Sequence, residues 1–231
     1  MKQNIKKIIP IWLLKLYRKK NVNNFNNMTA KEVFTDIYNK NYWKSLESIS
    51  GKGSEIKQTE TLISNLGKLF KDMNITSVLD LPCGDFKWMA QVDLSAVNYT
   101  GADIVEELIK NNTLQHKERK NLTFKVINLI TDNLPKSDIV IVRDCLVHLS
   151  YEDIHRAIKN IKSSGSKFLL TTTFTNHHRN YDIVTGDWRP VNLQEKPFNF
   201  SPPILVINEN CSEGNGEFKD KSMSLWEIAK I

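Results

Sequence analysis

Between residues 77 and 173 short apolar runs alternate with longer, more polar stretches. The runs at 77–81, 99–104, 123–128, 139–143 and 168–173 are each too short for a helix and read as strands. Strands spaced by helical or loop segments in this way predict a parallel sheet covered on both faces. Two later runs, 204–208 and 224–231, are joined by Gly-, Asn- and Ser-rich turn material and predict an antiparallel hairpin at the sheet edge. Upstream, Val33, Phe34, Ile37, Tyr38 and Tyr42 recur at three- and four-residue steps, a helical pattern that begins at Thr29. Residues 50–54 (Ser-Gly-Lys-Gly-Ser) interrupt it, and a second helix is predicted over 56–73. The predicted class is α/β, a mostly parallel seven-stranded sheet with a terminal antiparallel hairpin and helices on both faces.

A chain of 231 residues, 40% hydrophobic and 25% charged, can bury one substantial core. Its formal charge of +6 is not spread evenly. Residues 1–27 hold seven Lys or Arg and no acid, whereas the remaining 25 basic and 26 acidic residues nearly cancel. No nucleic-acid partner is therefore expected for the domain. Residues 1–27 read as a basic arm and linker. In its 6–20 stretch the charges alternate with Ile8, Ile9, Ile11, Trp12, Leu13, Leu14 and Leu16, a pattern open to two readings: peripheral contact with a membrane, or a helix packed on the domain. No apolar run reaches the ~18 residues that cross a bilayer, and residues 8–14 lack a small-residue cleavage site. Cys83, Cys145 and Cys211 are far apart and show no metal-ligand spacing. The expected location is the cytoplasm, peripheral to the inner face of the membrane if the arm docks there.

The first strand-to-helix turn of a doubly wound sheet is the usual ligand contact, and here it is Asp80-Leu-Pro-Cys-Gly84-Asp-Phe86. Gly84 lets backbone N–H groups approach a ligand, and Asp80 offers a carboxylate to an ammonium group. Asp103 ends the next strand, where a carboxylate can accept both hydroxyls of a ribose. With one glycine and two carboxylates, the turn lacks the G-x-G-x-x-G needed to seat a pyrophosphate and would repel an anion. It tolerates a zwitterionic amino-acid tail beside a sulfonium, which favours S-adenosylmethionine over a dinucleotide.

The runs Ser77-Val-Leu-Asp-Leu-Pro-Cys-Gly-Asp-Phe-Lys-Trp88, Tyr99-Thr-Gly-Ala-Asp-Ile104 and Arg143-Asp-Cys-Leu-Val-His-Leu149 resemble class I S-adenosylmethionine-dependent methyltransferases, in a bacterial branch associated with surface-polysaccharide enzymes. The resemblance spans about residues 42–231. It implies a Rossmann-like fold, with residues 28–231 as one methyltransferase domain made of a helical cap (28–74) and a core (75–231). By resemblance Asp80, Pro82, Gly84 and Asp85 would border the methionine moiety, Asp103 and Ile104 the ribose and adenine, and Asn128 with Leu129 the adenine edge. The turn keeps only the central glycine of the family's D-x-G-x-G-x-G, and Asn128 stands where an acid is common; its amide oxygen can still accept from an adenine amino group. Gly53 and Ser54 are read as donors to the cofactor carboxylate and Trp43 as a lid, with a surface turn beside a core Trp as the competing reading.

Methyl transfer to an alcohol needs in-line geometry and a place for the departing proton. Of the five histidines only His148 directly follows a strand end, with Asp144 four residues before it. His148 is read as the base and Asp144 as its orienter or as an alternative base; the competing reading makes His148 a buried cap on the helix beginning near Tyr151. The polar segment 175–203 is the expected acceptor loop, with His177, Asp182, Asp187, Trp188 and Arg189 as substrate contacts. No metal is assigned, although Asp144 with Asp182 or Asp187 would suit Mg²⁺. The expected activity is O-methylation of a sugar or nucleotide-linked sugar used in capsule or other surface polysaccharide. The alternatives are methylation of RNA or another small molecule, and a non-catalytic cofactor-binding scaffold.

Overall fold

The computed structural model of the protein describes residues 25–231, so the predicted membrane-contacting stretch 6–20 lies outside the described residues. Strands β1 (Ser77–Asp80), β2 (Asn98–Asp103), β3 (Leu122–Val126), β4 (Ile139–Val142), β5 (Phe168–Phe174), β6 (Leu205–Asn208) and β7 (Lys221–Glu227) form one sheet in the order β3-β2-β1-β4-β5-β7-β6. The first five run parallel; β7 is antiparallel to β5 and β6. This is the predicted sheet and hairpin.

The central strands read as unbroken apolar runs because both of their faces are covered: every residue of β4 is buried. Val78, Ile139 and Ile141 face one way and pack with Leu62, Leu66, Leu69 and Phe70 of α2 (Ile56–Asp72). Leu79, Val140 and Val142 face the other way, against Ile154, Ala157 and Ile161 of α4 (Tyr151–Ser163). Helix α1 (Ala30–Asn39) starts where Thr29 and Glu32 form a reciprocal capping box. Helix α3 (Glu106–Gln115) makes the crossover from β2 to β3. Among the described residues no helix is long and apolar enough to cross a membrane.

Most strand boundaries fall within two residues of expectation, and the last strand departs furthest. β7 begins at Lys221, not at 224, and the chain leaves the strand after Glu227 for a short 3-10 turn, Ile228–Lys230. Lys221 and Ser222 resemble loop residues, yet both are buried, because the lysine finds carboxylate partners inside.

The strand order reverses between β1, which continues outward to β2, and β4, which leads to β5. In register, Asp80 lies opposite Gly101 on one side and Ile141 on the other. The carboxyl ends of β1, β2 and β4 therefore form one rim, the place where an open α/β sheet offers a crevice.

Candidate active site

Two cavities open at this rim. The first, about 1030 Å³ including its open mouth, lies between the turn after β1, the end of β2, the loop after β3 and the helical cap. Gly84 takes φ +55°, and its N–H donates to Asp103 Oδ2 at 3.1 Å. A Cβ at Gly84 would collide with the Ser50 hydroxyl and sit 3.1 Å from Ser50 Cβ, so the missing side chain is what lets the 48–50 segment dock on the turn. Asp85 completes the dock: its Oδ2 accepts from Ser48 Oγ (2.8 Å) and Ile49 N–H (3.2 Å), while its own N–H donates to Ser50 Oγ (3.1 Å). Gly84→Ala should cost about 1–3 kcal/mol of stability, with part of it recovered by Ser50→Gly. Denaturant melts of the single and double variants measure this, and a Gly84→Ala chain as stable as wild type would show that the close approach is not needed.

Pro82, Gly84, Asp85, Asp103, Ile104, Asn128, Leu129, Trp43 and Ser54 all line this first cavity. Two of the expected contacts need correction. Asp80 does not reach the wall: it is buried beneath the turn, where the Tyr99 hydroxyl donates to it at 2.6 Å and burial pushes its pKa up to about 7. Gly53 belongs to the second cavity instead, and its carbonyl accepts from Arg143 Nη2 at 2.7 Å. Asn128 Oδ1 accepts from Ile130 N–H at 2.9 Å and keeps a second lone pair toward the cavity it lines. Asp103 keeps a cavity-facing position while accepting from Gly84 and from Val105 N–H (2.9 Å); burial raises its pKa to about 6. Ala30, Phe34 and Tyr38 of α1 add a roof that sequence reasoning missed, because a helical apolar stripe reads as core packing.

The second cavity, about 1150 Å³, is bounded by aromatic rings of Tyr42, Phe174, Trp188 and Phe218 and by polar groups of Lys52, Asp187, Glu213 and Lys221. Trp43, Ser50, Asp144 and His148 line both cavities and form the wall they share. The Trp43 and His148 rings lie 5.3 Å apart.

His148 Nδ1 is 2.9 Å from the Asp187 carbonyl oxygen. A carbonyl can only accept, so Nδ1 carries the hydrogen and Nε2 of the neutral ring is left with a free lone pair. Burial lowers the pKa of His148, which keeps the ring neutral at neutral pH. Asp144 is not its hydrogen-bond partner. Residue 144, at φ +49°, turns its carboxylate to Lys221 Nζ at 2.6 Å and lies 3.4 Å from Arg143 Nη1. Burial opposes its charge, but Lys221 and Arg143 outweigh that and hold its pKa at about 2. So weak a base suits Asp144 to fixed negative charge in the wall rather than to taking a proton.

The expected acceptor loop, 175–203, is indeed free of helix and strand, but only part of it reaches the second cavity. Asp187 and Trp188 line it. Asp182 instead accepts from Tyr151 N–H at 2.7 Å, at the start of α4. His177 lies outside both cavities, half-buried with Nε2 unpartnered. Arg189 is fully buried and bonds only backbone carbonyls, so it cannot contact a substrate. Asp144 and Asp182 are thus committed elsewhere, and among the described residues no group of three His, Cys, Asp or Glu could hold a metal.

Beneath the second cavity lies an ion cluster with no signature in the sequence. Arg143 and Glu209, both buried, pair at 2.6 Å, and Lys221 lies 3.5 Å from Glu209. With Asp144 the cluster holds two cations and two anions joining β4, β7 and the residue after β6. Trp88 covers Arg143, its ring centroid 5.3 Å from the guanidinium carbon.

No protein-family model and no curated protein matches the chain. Solved structures do match. Magnesium protoporphyrin IX methyltransferase from Synechocystis PCC 6803, with bound SAM, aligns with a TM-score of 0.60 at 16% identity, over 87% of this chain and 97% of its own. Human N-acetylserotonin methyltransferase in complex with SAM gives 0.58 at 13% identity, over 87% and 60% respectively. The methyltransferase domain of bacterial CtHen1-C gives 0.54 at 18% identity, over 75% and 98%. At these identities the likeness establishes the architecture: the chain has the Rossmann-like fold that these methyltransferases share, with a mostly parallel seven-stranded sheet ending in an antiparallel hairpin.

Proposed function

We propose that this chain transfers the methyl group of S-adenosylmethionine to a hydroxyl of a sugar or nucleotide-linked sugar of the kind built into capsule or other surface polysaccharide. The observation that carries the proposal is the wall of Trp43, Ser50, Asp144 and His148 common to two cavities. Transfer between two bound molecules needs adjoining sites that meet at one point.

The first cavity fits the cofactor chemically. Asp103 can accept two ribose hydroxyls, Ile127, Leu129 and Ile130 give an apolar bed for a purine, and Phe34, Tyr38 and Trp43 close over it. When bound, the cofactor supplies an electrophilic methyl group on a sulfonium. The chain's part is to align the acceptor, exclude water and take a proton at His148 Nε2. The second cavity, with aromatic faces beside carboxylates and amines, suits a polyhydroxylated ring. The near-neutral charge of residues 28–231 favours such an acceptor over a nucleic acid.

Incubation with S-adenosylmethionine and a panel of GDP-, UDP-, CDP- and dTDP-sugars, read by mass spectrometry, should show one acceptor heavier by one methylene and an equal amount of S-adenosylhomocysteine. Demethylated cofactor with a non-sugar acceptor would reject the sugar and keep the transfer.

A further inference from the structure

We infer that Arg189 is the positioning residue for His148, acting as a buried clamp on the turn that carries it; the inference rests on His148 being the base proposed above. Arg189 is fully buried, and among the described residues no carboxylate lies within ion-pairing distance of it. Its guanidinium is satisfied by backbone alone: Nη1 donates to Leu146 O at 2.9 Å, Nη2 to Leu149 O at 2.7 Å and Nε to Tyr181 O at 3.1 Å. The Tyr151 ring lies 5.7 Å from the guanidinium carbon.

The first two acceptors flank His148. They belong to the 3-10 turn Leu146–His148 and its cap, whose carbonyls have few partners within so short a helix. The backbone completes the clamp. Arg189 N–H donates to Val147 O at 3.0 Å, and Gly186 N–H donates to His148 O at 2.8 Å. All four carbonyls from 146 to 149 thus accept from Gly186 or Arg189, and the same segment supplies the Asp187 carbonyl that fixes the His148 tautomer. Gly186, at φ +102°, is in turn held under the cap: a Cβ there would lie 2.5 Å from Val33 Cγ1 and 2.8 Å from Phe25 Cδ2.

Burying an unpaired guanidinium is costly, and a packed apolar side chain would avoid that cost. Its planar fork, however, reaches three separated carbonyls at once, which one ammonium group cannot do. The charged groups facing His148 are Asp144 after β4 and Asp187 and Arg189 from the loop; the carboxylates favour the imidazolium, while Arg189 and burial disfavour it.

The test uses the full chain as wild type, Arg189→Lys and Arg189→Met, with His148 followed by ¹⁵N imidazole NMR assigned against His148→Gln. Wild type should show the Nδ1–H tautomer. Arg189→Lys should lower kcat by about 10- to 100-fold with cofactor Kd within about twofold, and should weaken the tautomer preference. In Arg189→Met the acid limb of the pH–rate profile and the His148 titration should both move to higher pH. An Nε2–H tautomer in wild type would overturn the inference, as would a folded Arg189→Lys with an unchanged His148 tautomer preference, whatever its kcat. If Arg189→Met does not fold, the lysine variant and the wild-type tautomer still decide. Should no alcohol be methylated by wild type while the His148 signals still follow Arg189, the acceptor proposal fails and the clamp stands.

Discussion

His148→Ala should reduce kcat by about 10²- to 10⁴-fold, the range associated with a positioned general base, while cofactor affinity stays within about twofold. His148 lies in the shared wall and not in the bed of the first cavity, so removing it leaves Asp103 and the apolar residues that would hold the cofactor. The same geometry fixes the pH dependence. The base must be neutral, and burial places its pKa below the usual 6.5, so kcat should level off on the alkaline side and fall as acidity protonates the ring, with the midpoint of that limb below 6.5. In His148→Ala that acid limb should disappear along with most of the rate. Isothermal titration with S-adenosylmethionine and single-turnover rates across pH measure the two halves separately. A folded His148→Ala variant that turns over normally would remove His148 from the chemistry and leave no titrating base in the wall, since Asp144 is held ionised by Lys221 and Arg143.

The sheet was legible because parallel strands buried on both faces carry their identity in local composition; Ile139-Val-Ile-Val142 can hardly be anything else. The turn after β1 was legible as a bend at the rim for a similar reason, since Gly84 acts through its backbone and Asp103 through its place at a strand end. What the sequence hid were partnerships between distant residues. Lys221 looks like a loop residue until Asp144, 77 positions earlier, is seen to neutralise it. Ser50 looks like part of a surface turn until Gly84 makes room for it. Arg189 was read as a substrate contact because a polar, aromatic loop suggests exposure. Its real partners are carbonyls, which every residue possesses and which therefore leave no mark on composition. Asp80 shows the converse: its spacing placed it correctly at the end of β1, but the direction of its side chain depends on the Tyr99 hydroxyl, which spacing does not encode.

Asp103→Asn should weaken S-adenosylmethionine binding by about 10²-fold and, at neutral pH, make the free protein more stable. The two effects have one origin. Asp103 is buried, and burial raises its pKa from 3.8 to about 6, so its ionised form is penalised in the folded chain even though two backbone N–H groups support it. Because the folded pKa is raised, the stability this group contributes is fully present below its unfolded pKa and is lost as pH rises through about 6. The loss is roughly 3 kcal/mol. An asparagine of the same shape keeps an oxygen for Val105 N–H and carries no charge to penalise, although its amide nitrogen then faces Gly84 N–H, donor against donor, which offsets part of the gain. Its melting temperature should therefore exceed that of wild type by several degrees at pH 7.5, with the gap closing below pH 4. Asp80 is present in both chains, but the Asp103 charge helps to raise its pKa, so the difference between them also carries the relief of Asp80 in the asparagine variant. With cofactor added the order should reverse, because charge-assisted hydrogen bonds from two ribose hydroxyls are each worth about 1.5–3 kcal/mol and asparagine cannot accept both. Thermal melts of the two proteins across pH, with and without S-adenosylmethionine, read every part of this. If Asp103→Asn were destabilised at pH 7.5 and still bound the cofactor as wild type does, the carboxylate would be a structural anchor for Gly84 and Val105, and the ribose would have to be held elsewhere in the first cavity.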